Sequence, residues 1–313
     1  MRSRALLLIL GCALLLLGAV LVGPRLEGAQ GQFIVWQLRV PRVLVGMGVG
    51  ATLALVGAVF QALFQNPLAT SDTVGTTAGA TVGALFAFAL DSSRTVQGLP
   101  LVTVCAFAGA LAGSLLVASF ASARRVHSSD ILLAGIAVTL ASSALASGIQ
   151  YVSDSRALFA ATQWSLGQLP QVGYRGVLLL APLCTLSCGL LLLLTRPLQV
   201  FALGEDLAHS RGVNVPRLRL FALGLGSLGV AACVAWCGPI AFVGLIVPHL
   251  VRRLLGASYR TLLPMSLCVG GALLVTCDAF ARLIVPGREL PVGIVTAALG
   301  APTLVFLVAR GRR

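Results

Sequence analysis

Uncharged stretches of membrane-spanning length follow one another along almost the whole of this chain, and they leave few folds open to it. Residues 5–22, 43–64, 74–90, 99–123, 131–149, 176–194, 262–276 and 290–309 each lack Arg, Lys, Asp and Glu. A hydrocarbon core about 30 Å thick takes about 20 such residues as a helix. Helices also satisfy their own backbone N–H and C=O groups where no water can. Charged residues make up 10% of the chain and hydrophobic ones 58%, with a mean hydropathy of +0.99, against roughly 25% charged in soluble domains. The expectation is an all-α, polytopic integral membrane protein. No long polar linker or low-complexity tract divides residues 1–313, so they read as a single transmembrane domain.

The number of spans turns on two stretches. Met1 to Val22 has the basic start and apolar run of a secretory signal, but its uncharged part is longer than a usual signal core. No small-residue cleavage site follows before Glu27. It is therefore expected to remain as a first span. Residues 220–250 contain no Arg, Asp or Glu, which is too long for one ordinary span and short for two. Cytoplasmic loops carry an excess of Lys and Arg. With the N-terminus inside, a break near Gly238-Pro239 places 14 of the 22 arginines inside and 8 outside; a single span reverses the bias, to 10 inside and 12 outside. The sequence thus predicts about ten transmembrane helices, both termini cytoplasmic, with one of the last pair formed by that break short.

Every basic residue is arginine, which excludes some chemistry. A phosphate-binding P-loop and a Schiff base both need lysine, so this chain is not itself a P-loop ATPase. The net charge of +13 is spread over the ends of apolar segments, not gathered on one face with aromatics, which argues against nucleic acid. Cys184 and Cys188, and Cys233 and Cys237, share helix faces, yet no His or carboxylate lies within the same turn to complete a metal site. They read as packing residues, and nothing calls for a cofactor or an enzymatic site. Gly46-x3-Gly50, Gly75-x3-Gly79-x3-Gly83 and Gly109-x3-Gly113 are spaced for close helix contact, read here as packing within one bundle.

Carriers driven by ion gradients keep acids, His or Lys within their spans. Here Asp278 alone lies closely flanked by apolar sequence, one turn from Arg282, and reads as a helix-end pair more readily than as a proton relay. His249 reads as interfacial packing. Energy is therefore expected to enter through a partner at the cytoplasmic segment Arg196 to Arg219, long for a plain connector. That segment predicts a short amphipathic helix from Leu198 through His209, a helix stop at Gly212, and a second short element begun by Pro216. Between spans two and three, "LFQNPLATSD" predicts a cytoplasmic turn in which Asn66 bonds local backbone and Pro67 ends the preceding helix.

Three blocks carry a resemblance to a known family: residues 39–84 with "NPLA", "FVGLIVPHLVRRLLG" from Phe242, and "ELPVGIVTAALGAPTLVFL" from Glu289. In this order they resemble FecCD-type permease subunits of ABC importers for iron-siderophore complexes, haem and vitamin B12. The resemblance implies a homodimer in the cytoplasmic (inner) membrane with a path along its axis. It also implies two copies of a separate ATP-binding subunit below and an extracytoplasmic substrate-binding protein above. The family's coupling loop matches Asp206 to Gly212, with Leu207 in place of its first alanine. Glu205 or Asp206 is its acid, and Ala208 and Gly212 complete the set. Asn66 and Pro67 match a turn near the coupling apparatus, or serve as a rigid turn only. Arg39, Arg42 and Arg282 match positions that meet acidic residues of the binding protein, and all three are expected to be exposed at the outer surface. The cargo among these three classes is not encoded in a legible motif. The competing reading is a proton-coupled secondary transporter, which requires Asp278 to titrate and needs no ATPase.

Overall fold

The computed structural model describes residues 2–22, 29–91, 94–121, 128–171, 173–285 and 289–310. Its helices in chain order are α1 (Arg2–Leu21), α2 (Ala29–Phe33), α3 (Val40–Leu63), α4 (Thr76–Asp91), α5 (Leu101–Ala121), α6 (Ser128–Val152), α7 (Ser155–Ser165), α8 (Gly173–Leu193), α9 (Thr195–Phe201), α10 (Glu205–Ser210), α11 (Val215–Cys237), α12 (Val243–Leu255), α13 (Tyr259–Ile284) and α14 (Val292–Arg310). Among the described residues, seven continuous helical stretches are long and apolar enough to cross a membrane, and Thr76–Leu90 and Val292–Val305 are shorter apolar helices. Of the arginines used to weigh the topology, Arg25, Arg124, Arg125, Arg288, Arg312 and Arg313 lie outside the described residues.

Helix α3 is the axis of the bundle. It packs against α8, α11, α12 and α13 and is buried almost continuously from Thr52 to Leu63. Small residues let it approach its neighbours backbone to backbone. A methyl group on Gly50 would overlap the Gly270 carbonyl of α13, and one on Gly57 would overlap the Gly244 carbonyl of α12. The α4–α5 pair repeats the device, Gly79 against Gly109 and Gly83 against Cys105. The glycine spacings thus serve contacts within the chain. On the other flank Cys184 of α8 touches Cys233 of α11, Sγ to Sγ 3.9 Å.

Local chemistry explains the interruptions. Pro41 has no N–H and its ring crowds the carbonyl four residues back, so the ladder ahead of it slips by one residue: Ile34–Arg39 is a π-helical turn in which the Val40 N–H bonds the Val35 carbonyl. Helix α11 stops at Gly238 (φ 69°) and α12 restarts after Phe242 (φ 69°), the break expected at Gly238-Pro239. The exposed backbone groups there are met by neighbouring breaks: Gln168 N–H donates to the Cys237 carbonyl at 2.7 Å, and Gly293 N–H to the Gly167 carbonyl at 3.0 Å.

The connector from Thr195 to Asn214 differs from expectation. The single amphipathic helix from Leu198 to His209 is two helices, α9 and α10, because Gly204 (φ 129°) takes a conformation that only glycine adopts easily. Pro216 opens the long helix α11 instead of a short element. Two outer elements had no counterpart in the sequence reading. Helix α7 is capped by Asp154, whose Oδ1 accepts the Ala157 N–H at 2.8 Å. A two-stranded hairpin, β1 (Thr95–Val96) and β2 (Leu99–Pro100), turns on Gln97 and Gly98, both at positive φ.

If the α3–α12 contact sets the packing, Gly57→Ala should lower the stability of the detergent-solubilised protein by about 1–3 kcal/mol through overpacking. Gly224→Ala, whose new methyl meets nothing within 4 Å, should leave it unchanged or slightly raised. Equal melting temperatures for both variants would refute the assignment.

Candidate functional site

One end of the bundle carries a buried ion cluster. Arg42, in the first turn of α3, donates to Asp278 Oδ1 of α13 from Nε (3.1 Å) and Nη2 (2.8 Å), and to Glu289 Oε2 from Nη1 (2.6 Å). Arg282 Nε lies 3.3 Å from Asp278 Oδ2. Its two Nη groups donate to the carbonyls of Ala19 and Val22, capping the end of α1. Gln171 Nε2 donates to both Glu289 oxygens. Arg42, Asp278 and Arg282 are 7%, 2% and 10% exposed and Arg39 is half-buried, which corrects the expectation of all three arginines as exposed surface cations. Asp278 does pair with Arg282, as expected, but its stronger partner comes from α3, 236 residues away in sequence. Arg39, Arg42, Arg282, Gln171 and Glu289 together border an open cavity of about 250 Å³, so the structure brings the three arginines to one place.

The opposite end holds the remaining candidates. Arg219 of α11, 3% exposed, donates from Nη2 to Glu205 Oε2 (2.7 Å) and to Ser128 Oγ (3.2 Å), while its Cζ stands 5.8 Å over the Phe201 ring. Ser128 Oγ in turn donates to the Leu63 carbonyl at the end of α3. Glu205 is therefore turned inward, joining α10 to α11 and to the start of α6, whereas Asp206 is exposed. Ala208 is fully buried and seats α10 on the bundle. Gly212 (φ 77°) ends the segment in the left-handed region, and the Val213 N–H reaches back to the Ala208 carbonyl at 2.9 Å.

The turn after α3 lies at this same end. Asn66 Oδ1 accepts the Leu68 N–H at 2.9 Å, the local bond expected of it. Phe64 closes α3 two residues before Asn66 and three before Pro67. His249 Nε2 lies 2.9 Å from the Pro67 carbonyl and Arg252 Nη1 donates to Gln61 Oε1, so α12 grips both the turn and the helix before it. Sequence reasoning missed the partners Glu289, Gln171, Arg219 and Gln61. Only the helical Arg282–Asp278 spacing had a signal.

The chain matches the description "FecCD transport family" over residues 6–310. It belongs to the FecCD family. It is 39% identical over 278 residues to the cobalamin import system permease protein BtuC of Halobacterium salinarum, covering 88% of this chain and 73% of that one. To the Fe(3+) dicitrate transport system permease protein FecD of Escherichia coli it is 38% identical over 312 residues, 96% of each. A solved inward-facing ABC transporter of metal-chelate type superposes with a TM-score of 0.86 at 31% identity, covering 96% of this chain and 98% of that one. This FecCD chain is thus a multi-pass permease subunit of an ABC importer, from a transport family and not a known class of enzyme.

The ion cluster yields a stability test. Removing one partner of a buried pair leaves an uncompensated charge and costs about 3–5 kcal/mol, whereas replacing both by apolar residues can be neutral. Asp278→Asn should therefore be strongly destabilised in detergent melting, and Arg42→Met with Asp278→Leu should recover much of the loss. A single variant as stable as the parent would show the cluster to be dispensable.

Proposed function

We propose that two copies of this chain form the passage of an importer for an iron chelate, haem or cobalamin, with two ATP-binding subunits at the Arg219 end and a binding protein at the Asp278 end. The ten-pass reading adds α4, α12 and α14 to the seven long helices and leaves both termini with the Arg219 end in the cytoplasm. The observation that carries it is the α9–α10 segment: anchored by the Glu205–Arg219 pair, it turns outward Asp206 and two apolar side chains, Leu203 (71% exposed) and Leu207 (39%). A helix fixed from below and apolar above suits insertion into a groove of a partner. Cargo class rests on the names of the relatives, which import cobalamin and ferric citrate.

The dimer reading is supported by α6, where Leu133, Ile136, Leu140 and Leu145 are 49–66% exposed and few residues are buried. The buried charged residues among those described are Arg42, Arg219 and Asp278, each ion-paired. The acid among them, Asp278, is thus already paired with two arginines, which favours an external ATPase over a proton-driven carrier. At the other end, an acidic residue of the binding protein would enter the arginine-bordered cavity. Half-buried Arg39 borders that cavity beside Arg42 and Arg282 and is the arginine to test.

The segment can be tested at Gly212, where the new side chain meets open space and only backbone conformation is strained. Left-handed φ costs an ordinary residue about 1–2 kcal/mol and asparagine less. In proteoliposomes with the ATPase and binding protein, Gly212→Val should lose most ATP-driven uptake and Gly212→Asn should keep it, with the ATPase still bound in both. Uptake driven by a pH step without the ATPase would overturn the proposal as a whole.

Docking is tested separately. Arg39→Glu should weaken capture of the binding protein and flatten its salt dependence, since a charge at the border of an open cavity acts largely through a screened field. Unchanged capture at low ionic strength would exclude Arg39 from the interface.

A further inference from the structure

A second cavity, of about 420 Å³, shares no lining residue with the arginine-bordered one and is bounded by the β1–β2 hairpin, α5, α8 and α11. Its walls are apolar, with Val104 and Phe107 from α5, Leu179 and Leu183 from α8, and Trp236 from α11; Gln97 of the hairpin stands at its rim. The cavity sits within three membrane-spanning helices. The adjoining surface of α8 is apolar and outward-facing, with Leu178 73% and Leu186 51% exposed. A cation fixed to the hairpin marks that end. Arg175 is exposed, and its Nη2 donates to the Gly98 carbonyl at 3.0 Å, fixing the guanidinium beside the hairpin. Arg175, Leu179 and Leu183 follow at i, i+4 and i+8, so they form one line on α8 from the charged rim into the apolar cavity.

We propose that this cavity is a phospholipid site, in which one acyl chain lies between α5, α8 and α11 and the lipid phosphate rests on Arg175. Hydrocarbon is the solvent around these helices, and an apolar recess opening to it takes a chain at little desolvation cost. A guanidinium has five N–H donors in a fork that matches phosphate oxygens. With Nη2 engaged by Gly98, the fork keeps donors for the anion. The occupant is thus an anionic amphiphile with its charge at the hairpin and its tail along α8. The recess is built within one copy of the chain.

Trp236 reports on the site directly. In the full chain carrying Trp36→Phe and Trp164→Phe, Trp236 is the remaining tryptophan. Its fluorescence is read while phosphatidylglycerol with brominated acyl chains is titrated into the purified protein, beside brominated diacylglycerol, which has the same chains and no phosphate. The phospholipid should quench saturably at low lipid fraction and the diacylglycerol only at higher fraction. Arg175→Gln should weaken the phospholipid about fivefold, the contribution of one cation near a charged headgroup. Val104→Phe, which fills the recess, should abolish saturable quenching while Arg175→Lys retains it. Quenching that rises in proportion to lipid fraction, equally for both lipids and both Arg175 variants, would reduce the cavity to ordinary contact with the surrounding bilayer. Quenching in a dissociated monomer that disappears in the dimer would assign the recess to the second copy. Either result overturns the proposal.

Discussion

Helix α3 touches α12 and α13 backbone to backbone, and the remaining architecture is organised around those contacts. In a bilayer, lipid tails are as apolar as leucine, so helices gain little by hiding apolar side chains from them. Association rests on close van der Waals packing and interhelical polar contacts. Gly50 against Gly270 and Gly57 against Gly244 bring main chains together where any side chain would hold them apart. The same closeness lets Gln61 of α3 donate to the Gly244 carbonyl at 3.2 Å while accepting from Arg252. Packing and polar satisfaction are thus one arrangement, and neither is available without the glycines.

Among the described residues, buried charge is placed where that packed axis ends. Asp278 and Arg42 close one end, Arg219 and Glu205 the other, and each pair joins two separate helices. Withdrawing ions from water costs several kcal/mol each, so these pairs are poor sources of net stability but severe on any arrangement that separates them. At the Arg219 end the pair joins the surface helix α10 to α11 and, through Ser128, to α6 and the last turn of α3. Displacement of α10 by a partner would therefore be felt by three spans at once.

Much of the fold was legible because hydrocarbon enforces it. The uncharged runs are helices, the break at Gly238 is where the arginine balance required one, and Asn66 and Gly212 have the local conformations their residue types imply. Local chemistry overlooked at first was also legible in principle: Asp154 as a helix cap, Gln97-Gly98 as a tight turn, Pro41 as the cause of the π-helical slip. What could not be read is pairing across distance. Nothing in the sequence near Arg42 distinguishes an exposed cation from one whose acid lies on α13, and nothing near Glu205 announces Arg219. The choice between Glu205 and Asp206 as the residue facing outward required the fold, which turns the first inward and leaves the second exposed.

The distance between Arg42 and Asp278 also has a meaning in time. Synthesis at about 5–20 residues per second puts about 12–47 s between the two residues. Throughout that interval α3 is available to the membrane with an unmatched guanidinium near its end, which must reach for the headgroup layer to stay hydrated. The last eighth of the chain thus carries the carboxylate that pairs with a helix from its first fifth, and a nascent chain halted before Asp278 lacks that partner.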